Sequence, residues 1–172
     1  MLSSFRRGIQ KTARRKKGGS VILYIAIPTY DSKVHWRTLK GIAATARLCG
    51  EKHIGIAVDV IPGDAFVGKA RNLLAHRFLK SGARDLLFVD ADVGFEPAAA
   101  VALCQAEPEI VMALYRMKCE GPVRYPALLM DPIERHASDQ SIVRLQYGPA
   151  GFMRVRREVF DAIRAKWPDE YY

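Results

Sequence analysis

Cysteine is scarce in this chain of 172 residues: Cys49, Cys104 and Cys119 are odd in number, far apart and free of any Cys-x-x-Cys spacing. That excludes both a disulfide framework and a zinc site read from cysteine spacing, and makes a reducing cytoplasm the natural setting. The four histidines, His35, His53, His76 and His136, show no metal-ligand spacing and receive no catalytic role. Long apolar runs are also missing. The stretch from Val21 to Pro28 is only eight residues, whereas a membrane-spanning helix needs about 20. Acidic residues are absent from the first seventeen positions, which hold Arg6, Arg7, Lys11, Arg14, Arg15, Lys16 and Lys17. The formal charge of +9 therefore belongs mostly to an arm, and the rest of the chain is nearly neutral.

What remains is enough for one domain with a real core, since 49% of residues are hydrophobic and 9% aromatic. Residues 1–19 read as a basic, disordered arm, and residues 20–172 as a single domain without internal repeats. The arm lacks the apolar h-region of a secretory signal, although its acid-free character also fits a transit peptide. Such an arm is either a solvated tail with no partner or, through residues 6–17, a contact for anionic lipid that would place the protein peripherally at the inner membrane face. Nucleic acid ranks behind it, and would show affinity that falls steeply with salt and vanishes on deletion of the arm.

Past Gly18-Gly19, strand-like and helix-like segments alternate, the pattern of a mostly parallel sheet with crossover helices. Strands are expected over Val21 to Ile27, Ile54 to Ile61, Asp85 to Val89 and Ile110 to Leu114. Helices are expected over Lys33 to Leu48, Lys69 to Leu79, Pro97 to Ala106 and Arg157 to Lys166. Tyr125 to Met130 and Ile142 to Leu145 read as shorter strands of a second layer. The fold class is α/β, a Rossmann-like sheet flanked by helices.

The most informative stretch is Leu86-Leu87-Phe88-Val89-Asp90-Ala91-Asp92. Four large apolar residues argue for a strand buried on both faces, and Gly94 with Pro97 ends it. Two carboxylates then arrive at the sheet edge where open α/β sheets bind ligands. Alternation would place Asp90 and Asp92 on one side of the strand end. Carboxylate oxygens suit Mn²⁺ or Mg²⁺, ions that also bridge to nucleotide phosphates.

Four segments in order carry a family resemblance: Ala26-Ile27-Pro28-Thr29-Tyr30, Ala70-Arg71-Asn72-Leu73-Leu74, Leu87 to Asp92, and Gly148-Pro149-Ala150-Gly151-Phe152-Met153 with Arg156 to Phe160. Together they resemble the nucleotide-sugar-binding half of a GT-A-fold glycosyltransferase, in the broad group around family 2 and the mannan-polymerase-type enzymes. The resemblance implies a metal-dependent transfer of sugar from a nucleoside diphosphate sugar to a glycan or other hydroxyl acceptor. It makes Asp92 the principal metal ligand and gives Asp90 the ribose or a metal-bound water. Pro28, Thr29 and Tyr30 would lie against the base and Asp59 would hydrogen-bond it, while Arg71 would meet the diphosphate or order Asp90. Gly148 and Gly151 would form the acceptor side, although two close glycines also make a tight turn with no ligand at all. Tyr115 to Lys118 either lines the donor sugar pocket or is an exposed basic loop.

Members of that family continue beyond the helix matching Arg157 to Lys166, where an acidic general base and often a metal-binding histidine reside. Here Trp167-Pro168-Asp169-Glu170-Tyr171-Tyr172 is the end, and the chain is expected to be truncated relative to them. No catalytic base is assigned, which leaves a catalytically incomplete nucleotide-sugar-binding protein as the alternative. A phosphatase with Asp-x-Asp on its first strand is a weaker rival, because here the motif comes third and Gly94 stands where such enzymes carry Thr or Val.

Overall fold

The computed structural model describes residues 21–168. The basic arm and the Asp169–Glu170 pair lie outside the described residues. The element order is β1 (Val21–Pro28), α1 (Trp36–Glu51), β2 (Gly55–Ile61), α2 (Val67–Ser81), β3 (Asp85–Val89), α3 (Pro97–Gln105), β4 (Ile110–Met112), β5 (Leu128–Leu129), β6 (Leu145–Tyr147), β7 (Phe152–Arg156) and α4 (Arg157–Lys166). Five strands form one sheet in the order β2-β1-β3-β7-β4, and β5 pairs with β6 in a separate two-stranded layer. β1 runs parallel to β2 and β3, while β7 is antiparallel to both β3 and β4. The protein is thus an α/β fold with a mostly parallel sheet, as expected.

Alternation along the central strands sorts the core into two layers. Leu23, Ile25 and Ile27 of β1, Leu87 and Val89 of β3, and Phe152 of β7 pack with Ile42 and Cys49 of α1 and Ala100 and Leu103 of α3. The opposite face gathers Tyr24, Ala26, Ile61, Leu86 and Phe88 around Ala70, Leu74 and Phe78 of α2. Every residue of β3 is buried, so the apolar run that marked it is the price of a central position between two helical layers.

The sequence pattern places no strand between Gly151 and the helix expected from Arg157. Phe152–Arg156 is instead a strand inserted between β3 and β4, in register Val89↔Phe152 to Asp85↔Arg156. Its buried Arg154 disguised it, because a charge in mid-strand breaks an apolar pattern. Arg154 donates from Nε to the Leu103 carbonyl at 2.9 Å, from Nη1 to Glu109 at 3.1 Å and from Nη2 to Ala106 at 2.7 Å. It therefore satisfies carbonyls at the C-terminal end of α3, which a helix leaves without partners. Arg157 does the same for α2, donating to Phe78, Leu79 and Ala83 with its guanidinium 4.8 Å from the Phe78 ring centre. The short strands are shorter or shifted: β4 stops at Met112 and β5 covers only Leu128–Leu129, both inside their expected spans, while β6 begins three residues later than expected.

Candidate functional site

β1 is flanked by β2 on one side and β3 on the other, so the chain reverses its winding direction at β1. At such a switch point, connections leave the carboxyl ends of neighbouring strands in opposite directions and open a crevice. A cavity of about 720 Å³ lies there. Pro28, Thr29 and Tyr30 line it from the end of β1, Asp90, Ala91 and Asp92 from the end of β3, Trp36 from the start of α1, and Asp64 from the β2–α2 turn.

The turn carrying the two carboxylates is fixed from several directions. Asp90 N–H donates to the Gly151 carbonyl at 2.8 Å, and Val93 N–H closes a turn on the Asp90 carbonyl at 3.0 Å. The Ala91 carbonyl accepts from His35 N–H at 2.7 Å and from Thr38 Oγ1 at 3.1 Å. Helix α1 approaches so closely that a Cβ on Gly41 would meet the Phe95 carbonyl at 2.7 Å, and one on Gly94 would meet Arg37 Cβ at 2.9 Å. Glycine is needed at both positions for contact, not for a special turn. The site is therefore preorganised by backbone and packing.

Each carboxylate has a cation of its own. Arg71, in the first turns of α2, places Nη2 2.7 Å from Asp90 Oδ1, and its Nε is buried with no hydrogen-bond partner. Lys118, on the connection after β4, places Nζ 2.5 Å from Asp92 Oδ2. Tyr115 stands beside Asp90: a Cβ built on Gly151 would collide with both Tyr115 Oη and Asp90 Oδ2. Burial raises the Tyr115 hydroxyl above the ordinary tyrosine value, and the Asp90 carboxylate raises it further, so the phenol keeps its proton.

The structure thus gathers Pro28, Thr29, Tyr30, Asp90 and Asp92 around one cavity, with Arg71 and Gly151 touching Asp90. Thr29 is buried and its Oγ1 donates to the Ile61 carbonyl at 3.2 Å, so its hydroxyl ties the end of β1 to β2. Of the two roles offered for Arg71, the geometry displays the ordering of Asp90. Asp92 lies in the turn beyond β3, so strand alternation does not set its direction.

Two expected residues stand apart. Asp59 does not line the cavity: it accepts from Tyr24 Oη at 2.5 Å and from Arg77 Nη1 at 3.1 Å, on the face of β2 that α2 covers. The alternation that buries Tyr24 and Ala26 under α2 carries Asp59, the strand partner of Ala26, to the same face. Asp64 is the acid that reaches the crevice from this segment, with Oδ1 accepting from Phe66 N–H at 2.9 Å. Gly148 packs near Met112 and Leu145 instead of the carboxylates, so its smallness serves the contact between β4 and β6. Residues at the crevice to which the sequence reading gives no part in the site include Asp64, Trp36 and His35. Exposure of Trp36 next to a strand-end loop is their one signal, and it is invisible until helix α1 is placed.

Among the described residues, no group of three or more His, Cys, Asp or Glu side chains is arranged to hold a metal ion. Two carboxylates do suit Mg²⁺ or Mn²⁺ when substrate phosphates complete the coordination, which is how such ions are commonly held. The donor set fits a cation shared with a phosphate and does not fit a cation bound by protein alone. No helix among the described residues is long and apolar enough to cross a membrane.

No family model matches this chain, and no curated protein matches it. Among solved structures it is similar to one described as "crystal structure of a glycosyltransferase involved in the glycosylation of the major capsid of PBCV-1". The identity is 10%, the TM-score 0.43, and the likeness covers 87% of this chain and 68% of that one. A likeness this distant carries no argument about chemistry, and the functional reading rests on the site itself.

Proposed function

We propose that the crevice binds a nucleoside diphosphate sugar together with Mn²⁺ or Mg²⁺, and that the protein transfers the sugar to an acceptor hydroxyl. One observation carries this reading: Asp90 and Asp92 leave a buried strand at the switch-point crevice, in a fixed turn backed by Arg71. Asp90 and Asp92 would hold the cation with the help of phosphate oxygens, and the bound ion would neutralise charge on a departing diphosphate.

The chain's own groups have separable tasks. Tyr30 and Trp36 offer exposed aromatic faces to a base, and Asp64 offers an acceptor to ring N–H groups. Arg71 holds Asp90 in place through Nη2. The Gly151 backbone and the protonated Tyr115 hydroxyl border Asp90 on the side where an acceptor would approach. No general base is assigned among the described residues, and a nucleotide-sugar-binding protein without turnover is the second reading. The protonated phenol favours it, since it has no free site for a proton. A cytoplasmic setting with the basic arm against anionic lipid completes the proposal and rests on the sequence alone.

Calorimetric titration of UDP and GDP, each with and without Mn²⁺, tests the site. Binding that requires the metal and disappears in Asp92→Asn, with the fold intact by circular dichroism, is expected. Equal affinity in that variant would sink the metal assignment. Release of free sugar from UDP- or GDP-sugars then separates the transferase from the binding protein.

A further inference from the structure

The two carboxylates hold their cations with different permanence. In the Arg71–Asp90 pair the side chains are 24% and 31% exposed, and Arg71 stands on α2, which is anchored by buried Ala70, Leu74 and Phe78. In the Lys118–Asp92 pair they are 74% and 59% exposed. Lys118 stands on the connection between β4 and β5, which contains no helix or strand and is pinned near it by the Met117 N–H to Arg124 carbonyl bond at 2.9 Å. An exposed ammonium on a flexible stem can leave its partner by bond rotation into solvent, whereas the Arg71 guanidinium, with its Nε enclosed, has little room to turn away.

We propose that Lys118 is an exchangeable counter-ion: it neutralises Asp92 in the free protein and passes to the diphosphate when a divalent cation takes its place. This rests on the reading of the crevice as a metal–nucleotide site, and gives that site a coupling residue. A cation arriving alone must displace Lys118 and strand its charge in solvent, with only two carboxylates in return. A diphosphate arriving alone meets Asp92 and finds Lys118 already engaged. Arriving together, the cation takes over Asp92 and the freed ammonium meets phosphate oxygen, so each ligand strengthens the other by the same factor. The exposed pair supports a two- to five-fold effect, about what such pairs contribute elsewhere.

The test measures Mn²⁺ binding by electron paramagnetic resonance of the free ion, without nucleotide, alongside calorimetry of UDP and GDP in saturating Mn²⁺. In Lys118→Met, Mn²⁺ alone is expected to bind about two- to five-fold tighter, because the competing charge is gone. The diphosphate in Mn²⁺ is expected to bind about tenfold weaker, because its ammonium partner is gone. Lys118→Arg should restore most of the diphosphate affinity. Lys118 is an exposed loop residue, and its replacement leaves the core untouched. If the unaltered protein binds diphosphate with Mn²⁺ and Lys118→Met leaves Mn²⁺ affinity unchanged or weaker, this inference fails and the site assignment stands. If the unaltered protein binds neither diphosphate in Mn²⁺, both are overturned.

Discussion

Replacing Gly151 by alanine adds one methyl group at the most crowded point of the site. The new Cβ would collide with Tyr115 Oη and Asp90 Oδ2, and would lie 2.9 Å from Asp90 Cγ. Carbon atoms settle at about 3.5–4.0 Å, so Asp90 must retreat by at least half an ångström. Tyr115 can yield at its tip, but Asp90 is short and held by Arg71 at 2.7 Å and by its own amide on Gly151. Overpacking of this kind costs about 1–3 kcal/mol. In a domain of this size each kcal/mol lowers Tm by about 2–4 °C. If Asp90 is a ligand-binding carboxylate, its displacement also weakens UDP or GDP binding in Mn²⁺ by about tenfold, the scale of one lost charge-assisted bond. The control is Gly68→Ala in α2, where a Cβ meets nothing within 4 Å and helix propensity favours alanine by about 0.5–1 kcal/mol. Thermal unfolding and calorimetry on both variants decide the matter. Unchanged melting and unchanged nucleotide affinity in Gly151→Ala would refute the argument that this glycine exists to admit Asp90 and Tyr115.

Arg154→Met removes a fully buried cation that donates to three carbonyls, and should destabilise the protein by about 1–3 kcal/mol in urea unfolding, since the Leu103 carbonyl loses its buried donor while Ala106 and Glu109 still accept from Arg156. A loss below about 1 kcal/mol would show that solvent replaces that donor. Burial pushes the Cys104 thiol from 9.0 up to about 12, with Asp85 adding to the shift. A folded-state value above the unfolded one means that stability from the neutral thiol is full below about pH 9 and is lost as pH climbs towards 12. Urea midpoints should therefore fall across that window, and fall less steeply in Cys104→Ala; parallel curves for the two proteins would contradict the assignment.

Much of this architecture was readable because its signals are local. The β3 run, the proline opening α3 and the ends of α4 were placed within a residue, since burial on both faces, N1 proline and amphipathic spacing act over a few positions. Pro28 to Tyr30, Asp90 and Asp92 came together because strand ends in a parallel sheet share one edge. Asp59 went astray because its position near a strand end says nothing about which face it takes, and Tyr24, 35 residues away, decides that. β7 was hidden by Arg154, whose charge makes sense only once the C-terminal carbonyls of α3 are seen to surround it. Lys118 and Tyr115 were noticed as one stretch, yet their pairing with Asp92 and their crowding of Asp90 come from a long connection that no periodicity describes.

The placement of β7 also dictates an order of events during folding. Among the described residues, the last strand in chain order becomes an inner strand of the sheet, and β4, made some forty residues earlier, pairs with β7 alone. Until it arrives, β3 presents an unpaired apolar edge, the kind of surface through which nascent chains associate wrongly. The same strand delivers the carbonyl of Gly151 to the amide of Asp90, sixty-one residues upstream. Such distant closure is slow to form. The carboxylate turn acquires its final shape only when the sheet is finished, so a nascent chain cannot capture its ligand before it has buried its core.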